Sequence, residues 1–356
     1  MAGLVDPAFW RGRRVLVTGH TGFKGGWLAL WLRELGAECL GLALEPPGAP
    51  SLHDAARVGE VVDARTVDIR DRRAVAGAVR ELRPEIVLHL AAQPLVRRSF
   101  TDPVATYETN VLGTANVLAA CGQAAAVVVV TSDKCYAPRT DGIACREGDP
   151  LGGKDPYSSS KACAELVTAA WRDSFGSAGP AIASVRAGNV IGGGDWGEDR
   201  LVPDAMRAAL DGRPLLVRNP DAVRPWQHVL NPLSGYLLLT ERLVRGEGVA
   251  EAWNFGPAPG DELPVRAIAD RLAARWGDGF EWRAEGDGGP PETAVLRVDS
   301  AKARERLGWA PGWGLDAGLA ATVEWFRAWR DGADPREVCI AQIRSFADEP
   351  VAAEAG

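Results

Sequence analysis

A chain of 356 residues can bury a sizeable core, as one large domain or two smaller ones, and its 46% apolar and 24% charged content is that of an ordinary globular protein. A net charge of -7 argues against a broad basic footprint for nucleic acid, but not against a local basic pocket for a phosphorylated small molecule. Six cysteines without a C-x-x-C pair and only four histidines give no reason to expect a metal site. No apolar run reaches the roughly 20 residues of a membrane helix, so a soluble, cytoplasmic protein with reduced thiols and no membrane partner is expected.

"RRVLVTGHTGFKGGWLALWLRELGAECLGLAL" reads as strand, glycine-rich turn, helix and strand. The alternation continues with helix "DRRAVAGAVREL", strand "EIVLHLAA", helix "PVATYETNVLGTANVLAACG" and strand "AAVVVVTS", then helix "SSSKACAELVTAAWRDSF" and strand "AIASVRAGNV". Several of these strands are continuously apolar. The expected fold class is therefore α/β, a doubly wound parallel sheet of Rossmann type covered on both faces. Beyond Asn189 the pattern loosens and Gly, Pro and Trp become denser, which predicts a smaller, mixed C-terminal lobe. The expected division is 1–187 plus roughly 225–255 for dinucleotide binding, and roughly 188–224 plus 256–345 for substrate. The terminal "VAAEAG" is expected to fray.

Gly19, Gly22 and Gly25 form the turn "GHTGFKG" between the first strand and the first helix. Glycines there let the backbone approach a pyrophosphate, whose charge a helix N-terminus favours. Asp68, after the third strand, is a candidate acceptor for an adenine amino group. The second strand ends in "LALEPPG" with no arginine close behind to meet a 2'-phosphate, so NAD is expected rather than NADP. Glu45 is either a ribose ligand or an exposed loop glutamate.

"YSSSK" places Tyr157 and Lys161 four residues apart, on one helix face. A free tyrosine, with a pKa of about 10, is a poor base at neutral pH. A neighbouring ammonium would favour the phenolate, which can take a hydroxyl proton while hydride leaves the same carbon.

"GHTGFKG", "DIRD", "HLAAQ", "TNVLGT" and "YSSSK", in that order, resemble the extended short-chain dehydrogenase/reductase family over nearly the whole chain. The resemblance implies Tyr157 as the redox base, Lys161 on the nicotinamide ribose, and Thr131 or Ser132 sharing the substrate hydroxyl. It also implies NAD contacts from Gly19, Thr21, Gly22, Phe23, Gly25, Asp68, Ile69, Leu90, Ala91 and Ala92, and a homodimer paired through two alanine-rich helices.

Asp133 and Lys134 divide the family's chemistries. An epimerase needs no further acid or base here, whereas a hexose 4,6-dehydratase must remove the C5 proton and protonate the departing 6-hydroxyl. "TSDKCY", "DPLGGKDPYSSSK", "RAGNVIGGGDWGEDRLVPD" and "RPWQHVLNPLSGYL" are similar to the branch that dehydrates CDP-glucose. The loop "APRTDGIACREGD" lacks the aromatics expected of that branch. Asp133 is the expected acid, forming one coupled titration with its neighbour. Lys134 is the C5 base or an electrostatic stabiliser, with the Tyr157 phenolate as an alternative base; a plain Asp133–Lys134 ion pair is the bland alternative.

The same resemblance implies substrate contacts from Gln93, Ser132, Asn189, Arg200, Arg224 and Arg297, the arginines for their fit to phosphate. Trp196 and Trp226 are candidates for stacking on a base or for ordinary packing. Cys135 has no task in this chemistry. The competing readings are a 4-epimerase, a dehydratase of another nucleotide sugar, and a catalytically inactive dinucleotide-binding regulator.

Overall fold

Strand formation follows the apolar, β-branched runs. β1 (Arg14–Thr18), β2 (Glu38–Ala43), β3 (Asp63–Thr66), β4 (Ile86–His89), β5 (Ala126–Val130) and β6 (Ala181–Arg186) are joined by a last short strand, Ala252–Asn254. This computed structural model describes residues 4–46, 48–285 and 295–349; the tail expected to fray lies outside them. All seven strands pair in parallel, in the order Ala252–Asn254, β6, β5, β4, β1, β2, β3. The chain order reverses between β1 and β4, and the crevice above their carboxyl ends is where such sheets take ligands.

Both sheet faces are covered, which explains why β4 and β5 are buried at every position. One side packs against helix Phe23–Glu34, whose Trp27, Leu28 and Trp31 are buried; the other packs against helix Arg72–Leu82 through Val75, Val79 and Leu82. The single helix expected over 103–122 is instead three pieces: Pro103–Tyr107, a π-helical turn Glu108–Leu112, and Gly113–Ala120. Asn110 sits in that turn, its carboxamide bonding the Gln93 backbone at 2.8 and 3.1 Å and Ser160 at 2.9 Å. A polar residue turned inward to brace two other elements is a common reason for a helix to widen.

The C-terminal half contributes three two-stranded sheets, Val190–Ile191 with Gln227–His228, Val223–Pro225 with Glu262–Pro264, and Leu215–Val217 with Trp282–Ala284. Helix Leu230–Val244 returns to pack against β5 and β6. Helix Pro335–Asp348 closes over Phe23–Glu34, where Phe346 meets the Trp31 ring edge-on at 5.6 Å. Among the described residues no helix is long and apolar enough to cross a membrane, and no group of three metal-capable side chains occurs.

A buried ion pair ties the layers together. Glu165 of helix Pro156–Phe175 accepts from Arg186 at 2.8 Å, from Ser184 at 2.6 Å and from Thr131. Arg186 also donates to Tyr136 Oη at 2.8 Å, and Tyr136 donates to Asn254 at 2.7 Å. Arg186→Met is expected to strand the Glu165 charge and lower stability by about 3–5 kcal/mol, read as a lower urea midpoint at constant slope. Adding Glu165→Leu should recover much of that loss.

Candidate active site

β1 runs directly into the glycine turn. Gly19 adopts φ +76°, and a Cβ on it would lie 2.8 Å from the Ala91 Cα. A Cβ on Gly25 would lie 2.2 Å from the Gly19 carbonyl oxygen. The turn therefore closes only with glycine, and it presents the N-terminus of helix Phe23–Glu34 at the switch between β1 and β4, a fit for a dinucleotide pyrophosphate. Thr18 Oγ1 accepts from the Leu90 and Ala91 backbone N–H groups, both at 3.1 Å, and so holds the Leu90–Ala92 segment beside the turn. Thr21 donates to the Leu44 carbonyl at 2.9 Å. Ile69 packs under Gly113. Asp68 receives Arg70 on both carboxylate oxygens, and Glu45 is exposed, accepting from Thr66 at 3.3 Å.

Helix Pro156–Phe175 begins at Asp155, whose carboxylate accepts from the Ser158 N–H at 2.8 Å, with proline in the first turn. Tyr157 and Lys161 follow on its inner face, both buried. Lys161 Nζ donates to the Val130 carbonyl at 3.3 Å, at the end of β5. Ser132 Oγ donates to Asp133 Oδ1 at 3.0 Å, and the same hydroxyl favours the ionised Tyr157 phenol. Of the two residues expected to share a substrate hydroxyl, Ser132 bonds Asp133 and acts on the Tyr157 phenol. Thr131 is taken up by Glu165 and the Val185 carbonyl, because the buried glutamate needs its donors.

Burial pushes the Tyr157 phenol up to about 12, while the Ser132 hydrogen bond and the Arg200 charge pull it back down and Asp133 pushes it further. Burial lowers Lys161 to about 8 against the raising influence of Glu165. Arg200 thus supplies the cationic influence on Tyr157. Asp133 is only 2% exposed, and its Oδ2 has no hydrogen-bond partner. That oxygen occupies space beside Gly188, where a Cβ would lie 2.1 Å from it. Lys134 is half-buried, and its ammonium forms no ion pair with Asp133 among the described residues, so adjacency in sequence does not become contact.

One residue of the pocket escaped the sequence reading. Lys24, inside the glycine turn, points inward with its ammonium 5.7 Å from the centre of the fully buried Tyr236 ring. The available signal was electrostatic: a lysine in the first turn of a helix opposes the helix dipole and needs a reason to be there.

The substrate candidates are distributed unevenly. Arg200 pairs with Asp195 at 3.2 Å and reaches the Tyr157 end of the pocket. Asn189 takes φ +23° just past β6, its carbonyl accepting from the Gln227 N–H. Arg224 is buried, with one donor on the Val223 carbonyl. Arg297 bonds the Gly142 carbonyl at 3.1 Å and Glu262 at 3.3 Å. Gln93 commits its carboxamide to Leu95 and Thr106, as a loop brace. Both tryptophans are packed: Trp226 is buried and donates to the Leu263 carbonyl, while Trp196 lies edge-on to Phe326 and Trp329. Cys135 is fully buried, its thiol pushed well up by burial, which fits a packing role.

Residues 15–256 match the model of the NAD dependent epimerase/dehydratase family. The chain belongs to that family. A curated member, CDP-glucose 4,6-dehydratase of Salmonella typhimurium, is 48% identical over 93% of this chain and 95% of its own. Among solved structures, a dTDP-glucose 4,6-dehydratase from Streptomyces venezuelae with NAD bound superposes with TM-score 0.76 at 27% identity, over 91% of this chain and 99% of that one. A Thermus thermophilus UDP-glucose 4-epimerase in complex with NAD gives TM-score 0.77 at 29% identity, over 88% and 99%. The epimerase/dehydratase fold therefore accommodates both outcomes, and the pocket residues must divide them.

With Tyr157 as the base, its ionisation sets the rising limb of the pH–rate profile. The Ser132 hydrogen bond favours the phenolate, so its loss raises the phenol pKa and moves the limb to higher pH. Ser132→Ala is therefore expected to need a higher pH for half-maximal rate and to be slow at neutral pH. A limb that stays in place overturns the assignment.

Proposed function

We propose that this protein is a nucleotide-sugar 4,6-dehydratase that converts CDP-glucose to CDP-4-keto-6-deoxyglucose. The observation that carries the reading is Asp133, a buried carboxyl that accepts from Ser132 and keeps its other oxygen unpartnered beside the Tyr157 site. An epimerase has no use for that second acidic group. The similarity to the Salmonella CDP-glucose 4,6-dehydratase supports CDP-glucose over other nucleotide hexoses.

Bound NAD, the cofactor named by the family and its relatives, supplies acceptance of hydride from C4 and its return to C6. The glycine turn with Thr21 and Phe23, the segment Leu90–Ala92, Asp68, Ile69 and Lys161 are the residues to hold it. Tyr157 takes the 4-hydroxyl proton, with Ser132 aligning that hydroxyl and Arg200 favouring the phenolate. The resulting ketone acidifies C5, Lys134 is the candidate to take the C5 proton with the Tyr157 phenolate as the alternative, and Asp133 protonates O6 as water departs. Asn189, Arg200, Arg224 and Arg297 are the candidates for the sugar diphosphate, in a substrate lobe formed by roughly 188–224 and 256–345. Six free cysteines suit a cytoplasmic setting.

Tyr157→Phe should abolish C4 oxidation while NAD binding, followed by calorimetry, survives. Incubation with a panel of nucleotide hexoses should give the alkaline ultraviolet absorbance of a 4-keto product with CDP-glucose foremost. Better turnover of another hexose, or a 4-epimer as product, overturns the reading.

The oligomer proposed is a homodimer. Phe100 on helix Val96–Thr101, Val104 on Pro103–Tyr107, Leu112 in the π turn, and Leu166 and Phe175 on helix Pro156–Phe175 are exposed apolar side chains. Light scattering at micromolar concentration should give twice the chain mass, falling to one chain mass for Val104→Glu/Leu166→Glu.

A further inference from the structure

We propose that Tyr136 is a positioning residue for the elimination: its hydroxyl, fixed between Arg186 and Asn254, holds the turn that carries Asp133. The inference rests on the dehydratase reading above and gives a role to a residue which that reading leaves without one.

The Asp133 carboxyl has little of its own to hold it. Ser132 bonds one oxygen at 3.0 Å, and the other has no partner. Its place is therefore set by its backbone, the 3-10 turn Asp133–Cys135. The bonds inside that turn are long. The Cys135 N–H meets the Ser132 carbonyl at 3.2 Å, and the Tyr136 N–H meets the Asp133 carbonyl at 3.5 Å, the outer limit of a hydrogen bond. One short 3-10 turn held by such bonds is a weak mount for a catalytic acid. Firm attachment begins at the next residue. Tyr136 closes the turn, and its buried side chain is bonded on both sides, from Arg186 at 2.8 Å and to Asn254 at 2.7 Å. The Cys135 carbonyl also takes the Gly152 N–H at 2.8 Å, and the loop leading to Gly152 is anchored by the same Asn254, through the Cys145 carbonyl and the Glu147 carboxylate.

The protons of this chain have one arrangement. Asn254 Nδ2 donates to the Cys145 and Asp299 carbonyls, both at 3.0 Å, so its Oδ1 is the end turned to Tyr136. A guanidinium has only donors, so the phenol accepts from Arg186 and gives its single proton to Asn254. Arg186 is in turn held by Glu165 at 2.8 Å. A charged donor on one side and a fully bonded carboxamide on the other leave the phenol one geometry. Burial pushes that phenol well above its ordinary pKa, so it keeps its proton and is no acid or base for the sugar. What it contributes is placement.

The groups assigned to C4 oxidation hang on other bonds. Tyr157 and Lys161 stand on helix Pro156–Phe175, whose start is capped by Asp155. Ser132 follows Thr131, whose N–H bonds the Val185 carbonyl at 2.9 Å. Loss of the Tyr136 hydroxyl leaves all of these in place and loosens the chain only beyond Ser132. Elimination is thus the step that should suffer.

The test uses the full-length enzyme with CDP-glucose. Elimination is followed by the ultraviolet absorbance of the 4-keto-6-deoxy product, and C4 oxidation by trapping with borodeuteride any 4-ketohexose that retains its 6-hydroxyl. Tyr136→Phe keeps the ring and removes the hydroxyl. It is expected to oxidise C4 within a few-fold of wild type and to eliminate about 10–10²-fold more slowly, the scale of a misplaced reacting group, so that the trapped ketone accumulates. Asn254→Leu removes the acceptor at the far end and should shift the same partition. Ile343→Val, on helix Pro335–Asp348, should lower the urea midpoint and leave the partition where it was, which separates placement from lost stability. Normal elimination by Tyr136→Phe overturns the proposal, as does equal slowing of oxidation and elimination, or a shifted partition in Ile343→Val. If Tyr136→Phe does not fold, an unshifted partition in Asn254→Leu overturns it. Wild-type enzyme that forms no 4-keto-6-deoxy product from any nucleotide hexose removes the dehydratase reading itself, a result distinct from all of these.

Discussion

The Glu165 carboxylate is the constraint on which the pocket depends. A lone buried charge is prohibitive, so Arg186, Ser184 and Thr131 must all be brought to it. These partners come from β6 and from the end of β5, while Glu165 itself stands one helical turn beyond Lys161. Satisfying one carboxylate therefore fixes the rotation of helix Pro156–Phe175 against the carboxyl ends of both strands. That rotation aims Tyr157 and Lys161 at Ser132. Arg186 extends the same constraint through Tyr136 to Asn254, the last residue of the sheet's edge strand.

Charge is organised around the pocket in the opposite sense to the molecule as a whole. The chain is acidic overall, with a net charge of -7, yet Lys161 and Arg200 both act on Lys24, with Asp133 and Asp195 offsetting them there. A local positive region in an acidic protein selects small anions over polyanionic surfaces. It also strains the lysines, whose ammonium forms are disfavoured by burial and by one another. The same burial that weakens Lys24 and Lys161 as cations makes proton movement accessible near neutral pH.

Much of this was legible in the sequence, because the signals were local. Continuous apolar strands, a glycine turn and a tyrosine–lysine pair at helical spacing all act within a few residues of themselves. The sheet, the turn and the Tyr157–Lys161 face accordingly stand where the pattern put them. What escaped depends on partners distant in the chain. The break at Glu108–Leu112 follows from Asn110 reaching Gln93 and Ser160, and the withdrawal of Thr131 follows from Glu165 thirty-four positions later. At Asp133 and Lys134, adjacency on a short 3-10 turn does not become an ion pair among the described residues. Lys24 was overlooked because the glycines around it absorbed the explanation for the whole turn.

Gly188 carries a consequence that reaches beyond stability. Its missing Cβ is the space that Asp133 Oδ2 fills, and Pro225 Cγ closes the far side at 2.8 Å from where that carbon would stand. Acid and methyl group compete for one volume, whereas Tyr157 and Lys161 lie outside the contest. A single carbon atom at position 188 would thus displace the Asp133 carboxyl and leave the Tyr157–Lys161 face untouched.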